Sequence, residues 1–238
     1  MLTDDELIEQ LRAADAAWLT VQGATRHWRR QDLVADAFHQ HFAQPQRQAS
    51  WTMTFVSTVE DDDDDVIIEE ILAVSFDTRG RRRRAETVSR HQEEWLADLV
   101  VVDGPTFWAR TGDTVHTNDG DTHQSHGGTD IIHLLLPSRV VDGYYLTCRE
   151  QWEQVAGRRC AVAVAVPRPP DPYGHTPGSE AFDMIAGGTD FRLSVDAETG
   201  VLLRVSKLID GTEAEICEFL DITFNEPLDD DLFAPPSS

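Results

Sequence analysis

The stretch FRLSVDAETGVLLRV at positions 191–205 decides the fold of this chain. Apolar residues recur at every second position of 191–195, which is the period of a β-strand with one buried face. Positions 196–200 hold turn-forming residues that end in glycine, and the alternation returns over 201–205. The stretch therefore predicts two antiparallel strands joined by a short turn.

The same two-residue pattern recurs along the chain, so the predicted fold is mainly antiparallel β-sheet. Further strands are predicted at positions 51–58, 67–76, 81–88, 99–102, 106–110, 144–152, 159–166 and 214–224. Turns at 103–105 and 156–157 separate neighbouring strands. The polar, glycine-rich stretch 112–128 predicts a loop.

Helical signals are few and short. Thr3 can cap a helix in which Glu6 completes a capping box, and apolar residues follow at helical spacing. A second, apolar helix is predicted over 131–136, where Pro137 stops it. The period of residues 13–42 is ambiguous between helix and strand. The expected class is therefore α+β with strands predominating.

No shift in composition marks a linker, so residues 1–238 are predicted to form a single domain. Three segments lie outside the predicted sheet. Positions 60–65 are an acidic hairpin loop, because a run of like charges gains nothing by packing. Positions 167–177 hold five prolines and predict an extended loop, and positions 225–238 form an acidic tail.

Charge is the strongest compositional signal. The 238 residues include 20 basic and 43 acidic side chains, which leaves a net charge of −23. Such a field repels nucleic-acid phosphates and anionic lipid headgroups, so we expect no nucleic-acid partner. Hydrophobic residues make up 40% of the chain, which suffices for a core at this length.

The cysteines and the N-terminus indicate a reducing compartment. Cys148, Cys160 and Cys217 are odd in number and lack C-x-x-C spacing, which predicts free thiols. The N-terminal residues are acidic where a secretory signal is basic. No apolar run approaches the roughly 18 residues that span a membrane. We therefore expect a cytoplasmic protein without membrane insertion.

Four consecutive arginines at positions 81–84 form the most basic motif of the chain. On a strand, successive side chains point to opposite faces, so the motif does not present one basic surface. The acidic loop 60–65 is a local partner. A solvated, partly neutralised hairpin is therefore favoured over a nucleic-acid site.

The candidate metal ligands are His116, His123, His126 and His133, with aspartates between them. Imidazole and carboxylate groups suit zinc or another transition metal, and His123 and His126 are spaced to chelate locally. A glycine-rich loop does not preorganise ligands, so a solvated polar loop is favoured over a metal site or a general base. The chain contains no P-loop, G-x-G-x-x-G, G-x-S-x-G or H-E-x-x-H motif, and we expect no cofactor.

Several short strand-and-turn segments resemble a known family when taken in order. They are VVDG and FW at 101–108, AGRR at 156–159, LSVD and TGVLLR at 193–204, FLDITFN at 219–225 and LFAP at 232–235. They resemble the LolA-like fold of bacterial lipoprotein carriers, which the RseB domain and mycobacterial lipid-binding lipoproteins share. The resemblance implies a strongly curved, incomplete half β-barrel with an N-terminal helix, short lid helices and a cavity for a lipid or acyl chain. It implies no catalytic residues.

We predict a non-enzymatic protein that binds an apolar small molecule or acyl chain in the half-barrel. Candidate contacts on the cavity wall and the lid are Trp51, Met53, Phe55, Trp108, Ile131, Leu134 and Leu135. One alternative is a regulatory module with a self-filled cavity, whose acidic surface docks a basic protein partner. Another is a metal-dependent enzyme that uses the four histidines. The sequence leaves the oligomeric state open.

Overall fold

In the computed structural model, the described residues are 2–43, 67–77, 82–91, 94–119, 131–169, 182, 184 and 187–235. Their strands are β1 (Thr20–Arg30), β2 (Ile67–Asp77), β3 (Arg82–His91), β4 (Glu94–Asp103), β5 (Thr106–Thr111), β6 (Thr114–Asp119), β7 (Tyr144–Val155), β8 (Arg158–Pro167), β9 (Asp190–Asp196), β10 (Leu202–Ile209) and β11 (Thr212–Phe224). The helices described are α1 (Asp4–Ala14), α2 (Gln31–Ala43), α3 (Ile132–Leu135), α4 (Ser138–Gly143) and a 3-10 helix (Asp230–Phe233).

The strands form one antiparallel sheet in the order β6-β5-β4-β3-β2-β1-β11-β10-β9-β8-β7. Two meanders therefore meet in the middle of the sheet, where the first strand pairs with the last. The two outer strands, β6 and β7, are not paired with each other, so the sheet stays open. The predicted α+β half-barrel is confirmed.

The N-terminal helix begins as its sequence predicts. The Thr3 hydroxyl accepts a hydrogen bond from the Glu6 backbone N–H at 3.2 Å, and the Glu6 carboxylate accepts one from the Thr3 N–H at 2.8 Å. This capping box satisfies two of the N–H groups that a helix start leaves open. Leu7 and Leu11 are fully buried, so α1 packs its apolar side onto the sheet.

The hairpin of β9 and β10 is held by its turn. The Asp196 carboxylate accepts hydrogen bonds from the Thr199 backbone N–H and hydroxyl, at 3.1 and 2.6 Å. Gly200 has a φ of +77°, and an added Cβ there would lie 2.4 Å from the Gln10 carbonyl oxygen on α1. Glycine is thus required both by the turn and by the close approach of the helix. β10 begins at Leu202, one residue after the predicted start.

The structure differs from the predicted elements in three places. The ambiguous segment 13–42 divides into β1 and α2. The prediction of a loop over 112–128 is wrong in its first part, because Thr114–Asp119 pairs with β5 as an edge strand. An edge strand exposed to water has few apolar residues, so the alternation that marks the other strands is missing. α4 was not predicted, and it follows α3 directly.

Two apolar clusters lie on opposite faces of the sheet. The main core joins α1, α3 and α4 to strands that include β2, β9 and β10. The smaller cluster holds Leu99 and Val101 of β4 against Phe233 of the 3-10 helix. The predicted acidic tail therefore docks on the sheet through Phe233. The loop 60–65 and positions 170–177 of the proline-rich loop lie outside the described residues.

Among the residues described, no helix combines the length and the apolar character that a membrane span requires. All three cysteines are free thiols, as the sequence predicts, and Cys160 and Cys217 are buried.

Candidate ligand-binding site

The face of the sheet on which the helices pack is the candidate binding surface, and we call it the inner face. Over β7–β10 the chain's own side chains fill this face. The rings of Tyr144, Phe182 and Phe191 contact one another, with centroids 4.8–5.7 Å apart. All three are fully buried, as are Leu134 and Leu135 of α3. This half of the inner face is therefore packed core.

The other half of the inner face carries a band of apolar side chains on β2–β4, which we call the inner strip. Its members are Leu72, Val74, Phe76, Ala85, Val100 and Val102. Leu72 and Val102 are half-buried, and the ring of Trp18 lies edge-on to Phe76 at 6.5 Å. The described α-helices contact the sheet mainly at β1, β7, β10 and β11, to one side of the strip, whereas the 3-10 helix contacts β3 and β4 from the opposite face.

Arg83 interrupts the inner strip. Register places it between Phe76 on β2 and Val102 on β4, and its side chain is half-buried. The Arg83 Nε is buried and makes no hydrogen bond with any described residue. Burial lowers the pKa of Arg83. Further along β4, Asp98 also points to the inner face, and its Oδ1 is likewise buried without a hydrogen bond to the described chain.

The neighbouring arginines point to the outer face and are paired. Arg82 donates to Asp77 and to Asp230, each at 2.6 Å, and these bonds raise the pKa of Arg82. Arg84 donates to Glu86 at 3.2 Å. Strand alternation thus places the paired Arg82 and Arg84 outside and Arg83 inside, while Arg81 lies outside the described residues. The loop 60–65, expected as their partner, is not among the described residues.

A buried group of charges, which we call the charge cluster, lies on the inner face of β1, β10 and β11. Lys207 is the chain's only lysine, and it forms an ion pair with Glu215 in which both side chains are 0% exposed. His27 Nε2 lies 2.7 Å from Glu215 Oε1. Arg29 pairs in register with Glu215, and its Nε has no hydrogen-bond partner among the described residues.

Burial and pairing act in opposite directions on the charges of Lys207 and Glu215. Burial lowers the pKa of Lys207, although the Glu215 carboxylate partly offsets this. Burial alone would raise the pKa of Glu215, but the hydrogen bond from His27 and the charge of Lys207 outweigh it and lower that pKa. An added Cβ at Gly188 would lie 2.8 Å from Lys207 Cγ, so the Gly188 backbone packs directly against the lysine side chain. Such a pair is rigid and inaccessible, which suits a structural role more than a reactive one.

The predicted contact residues are only partly brought together. Ile131, Leu134 and Leu135 lie in the main core, and the Leu135 carbonyl accepts a hydrogen bond from Trp18 Nε1 at 3.1 Å. Trp108 packs on the opposite face with the cluster around Phe233, so the structure does not place it beside the lid residues. Trp51, Met53 and Phe55 lie outside the described residues, and their role stays a prediction.

The four histidines are not assembled by the part of the chain that is described. His116 is exposed on β6, not on a loop, and His133 is half-buried on α3. His123 and His126 lie outside the described residues. Among those that are described, no group of three His, Cys, Asp or Glu side chains could hold a metal ion.

A polar cleft of about 390 Å³ opens beside the turn of β9 and β10. Its lining is Ala17, Arg158, Glu198, Thr199, Ile222, Thr223, Phe224, Asn225 and Glu226. Arg158 donates two hydrogen bonds to Asp196, at 3.1 and 2.9 Å, and its guanidinium lies 5.2 Å from the Phe224 ring centroid. These bonds raise the pKa of Arg158. Arg158 also donates to Glu198 of the lining at 2.8 Å. Because its cation is already paired, the cleft is a structural corner that sequence reasoning missed.

No protein-family model matches the chain, and no curated protein matches it in sequence. Solved structures do match. The Mycobacterium tuberculosis lipoprotein LppX has a TM-score of 0.48 and 12% identity, over 95% of this chain and 99% of LppX. MucB has a TM-score of 0.47 and 12% identity over 98% of this chain, which spans only 63% of the MucB chain. A LolA superfamily protein from Nitrosomonas europaea has a TM-score of 0.30 and 9% identity, over 98% of each chain. These are likenesses of architecture at low sequence identity, and they assign no ligand.

Proposed function

We propose that this chain is a non-enzymatic binding protein that holds an apolar or lipid-like ligand against the inner strip. The observation that supports the proposal is the strip itself, an apolar surface on an open sheet that lies beside the main helix contacts. Val74, Phe76, Ala85 and Val100 are already buried, so Leu72 and Val102, which are half-buried, are the members that can lose further exposed area to a ligand. Each square ångström of apolar surface removed from water contributes about 25 cal/mol, so a hydrocarbon chain binds without specific polar contacts.

Two neighbouring residues of β2 provide a matched test. Leu72 points to the inner face and packs on the core, whereas Ala73 points outward and is exposed. We expect Leu72→Glu to weaken binding of a neutral, apolar fluorescent probe by more than about tenfold, because a carboxylate is costly to bury. Ala73→Glu adds the same charge on the other face and should leave binding unchanged.

The probe titration also separates the proposal from its failure. If the wild-type chain does not bind the neutral probe, or if both glutamate variants bind it as the wild type does, the proposal is wrong. Circular dichroism of both variants checks that each remains folded, and Leu72→Ala supplies a second inner-face variant without charge.

A second function is favoured by one observation, the net charge of −23. An acidic module whose inner face is filled by its own side chains would dock a basic protein partner through its surface. Tyr144, Phe182 and Phe191 already fill one half of that face. Charge-driven docking weakens steeply with added salt, whereas retention of an apolar ligand does not. Measuring both at low and high salt distinguishes the two functions.

A further inference from the structure

Arg83 differs from its neighbours in the basic motif. Arg82 and Arg84 each bind a carboxylate on the outer face, whereas Arg83 projects between two apolar residues on the inner face. Desolvation accounts for the lowered pKa of Arg83, with no contribution from a neighbouring carboxylate. This isolation is unusual in a chain with 43 acidic side chains.

Such a placement is unfavourable for the chain alone. A guanidinium that is partly removed from water without an acid partner costs free energy, and buried polar atoms in native proteins nearly always have a hydrogen-bond partner. The Nε of Arg83 has none among the described residues. A partner from outside the chain would satisfy it, and the inner strip is where the proposed ligand lies.

We infer that Arg83 binds the anionic headgroup of an amphiphilic ligand whose hydrocarbon chain lies along the inner strip. The inference rests on the proposed function and names its ligand class. The planar guanidinium matches the paired oxygens of a carboxylate or a phosphate, which an arginine binds through two parallel hydrogen bonds. Val74, Ala85 and Val100 lie one row further along the strands and are already buried, so the chain of the ligand would first contact the half-buried Val102 beside Arg83.

The surrounding charges set the direction of the ligand. Asp98 occupies the inner face further along β4, in register with Thr87, so an anionic headgroup is repelled from that end of the strip. The net charge of −23 also disfavours anions over most of the surface. An anion is therefore favoured beside a cation that has no carboxylate partner among the described residues, and on the inner strip that cation is Arg83.

Three ligands with one hydrocarbon chain test the inference. They are hexadecanoate, hexadecyl phosphate and neutral hexadecanol, each titrated into the full chain below its micelle concentration. We expect at least one of the two anions to bind about tenfold to a hundredfold more tightly than the alcohol, which is the range of a charge-assisted hydrogen bond. The tighter of the two anions identifies the headgroup as a carboxylate or a phosphate.

Arg83→Met should abolish this preference and leave binding of the alcohol intact. Arg84→Met removes a paired cation from the outer face and should keep the preference. Because the buried Arg83 Nε has no partner among the described residues, Arg83→Met should also melt at a temperature no lower than the wild type, which a structural role would not produce.

Each failure has a separate meaning. If the wild type binds the alcohol and both anions equally, or if Arg83→Met keeps the preference, this inference is wrong and the proposed function stands. A lower melting temperature of Arg83→Met with an unchanged preference assigns Arg83 a structural role and also overturns it. If the wild type binds none of the three ligands, the proposed function itself fails.

Discussion

Replacing Lys207 with methionine should destabilise the chain strongly, although the two side chains have similar length. Lys207 and Glu215 are both fully buried, so the variant leaves a carboxylate in the interior without its ammonium partner. Removing one member of a buried pair costs about 3–5 kcal/mol. His27 still contacts the Glu215 carboxylate, and Arg29 lies opposite it on β1, so we expect the lower end of that range.

A double-mutant cycle measures the pair directly. The variants are Lys207→Met, Glu215→Gln and the double variant, each unfolded in urea and followed by circular dichroism. We expect the double variant to be less destabilised than the sum of the single variants, with a coupling of about 1–3 kcal/mol. Arg204 and Glu213 form a matched control pair at 3.0 Å near the surface, and their coupling should stay below about 1 kcal/mol.

Strictly additive effects of Lys207→Met and Glu215→Gln would contradict a coupled pair. A free energy of unfolding for Lys207→Met within about 0.5 kcal/mol of the wild-type value would also contradict it, because that is the range of an ordinary surface substitution. Either result would mean that the charge cluster contributes little beyond the packing of its aliphatic carbons.

Other outcomes follow from single contacts. Gly188→Ala should destabilise the fold more than Gly211→Ala in urea, because both have a positive φ, +98° and +79°, but only the first Cβ meets a side chain, at 2.8 Å. Thr3→Ala should lower the free energy of unfolding by about 1 kcal/mol, since it removes the helix cap. Cys160 should resist iodoacetamide in the folded protein at pH 8, as mass spectrometry can show, because burial raises its pKa to about 12. The pKa of Glu215 lies below its ordinary value of 4.5, so its stabilising effect is complete above pH 4.5 and is lost as the pH falls through the folded pKa. Glu215→Gln should weaken this acid dependence in unfolding curves at pH 3 to 6.

The strands could be predicted because their signal is local. The alternation over 191–195 is recognised without reference to the rest of the chain. The spacing of Thr3 and Glu6 likewise predicts the start of a helix from neighbouring residues alone. The edge strand β6 could not be found this way, since it has one partner strand and mostly polar residues. The pairing of β1 with β11 joins the two ends of the sequence, and no local pattern contains it.

The candidate site was harder to predict than the strands, because alternation assigns strand residues to two faces of the sheet but does not identify the inner face. Trp108 has the same strand signal as the core residues, and only the docking of Phe233 shows that it lies outside. The burial of Lys207 could be predicted from the sequence, since Lys207 lies two residues after Val205 and therefore on the same, buried face of β10. In the same way, Arg83 lies two residues before the buried Ala85 and therefore on the same face of β3.

The most direct test of the proposed function is native mass spectrometry of the untagged chain, followed by organic extraction of the same sample. We expect an excess mass of one ligand per chain, which reappears in the extract as an anionic amphiphile and is reduced in Leu72→Glu. A bare polypeptide mass that persists after incubation with excess hexadecanoate and hexadecanol would contradict it.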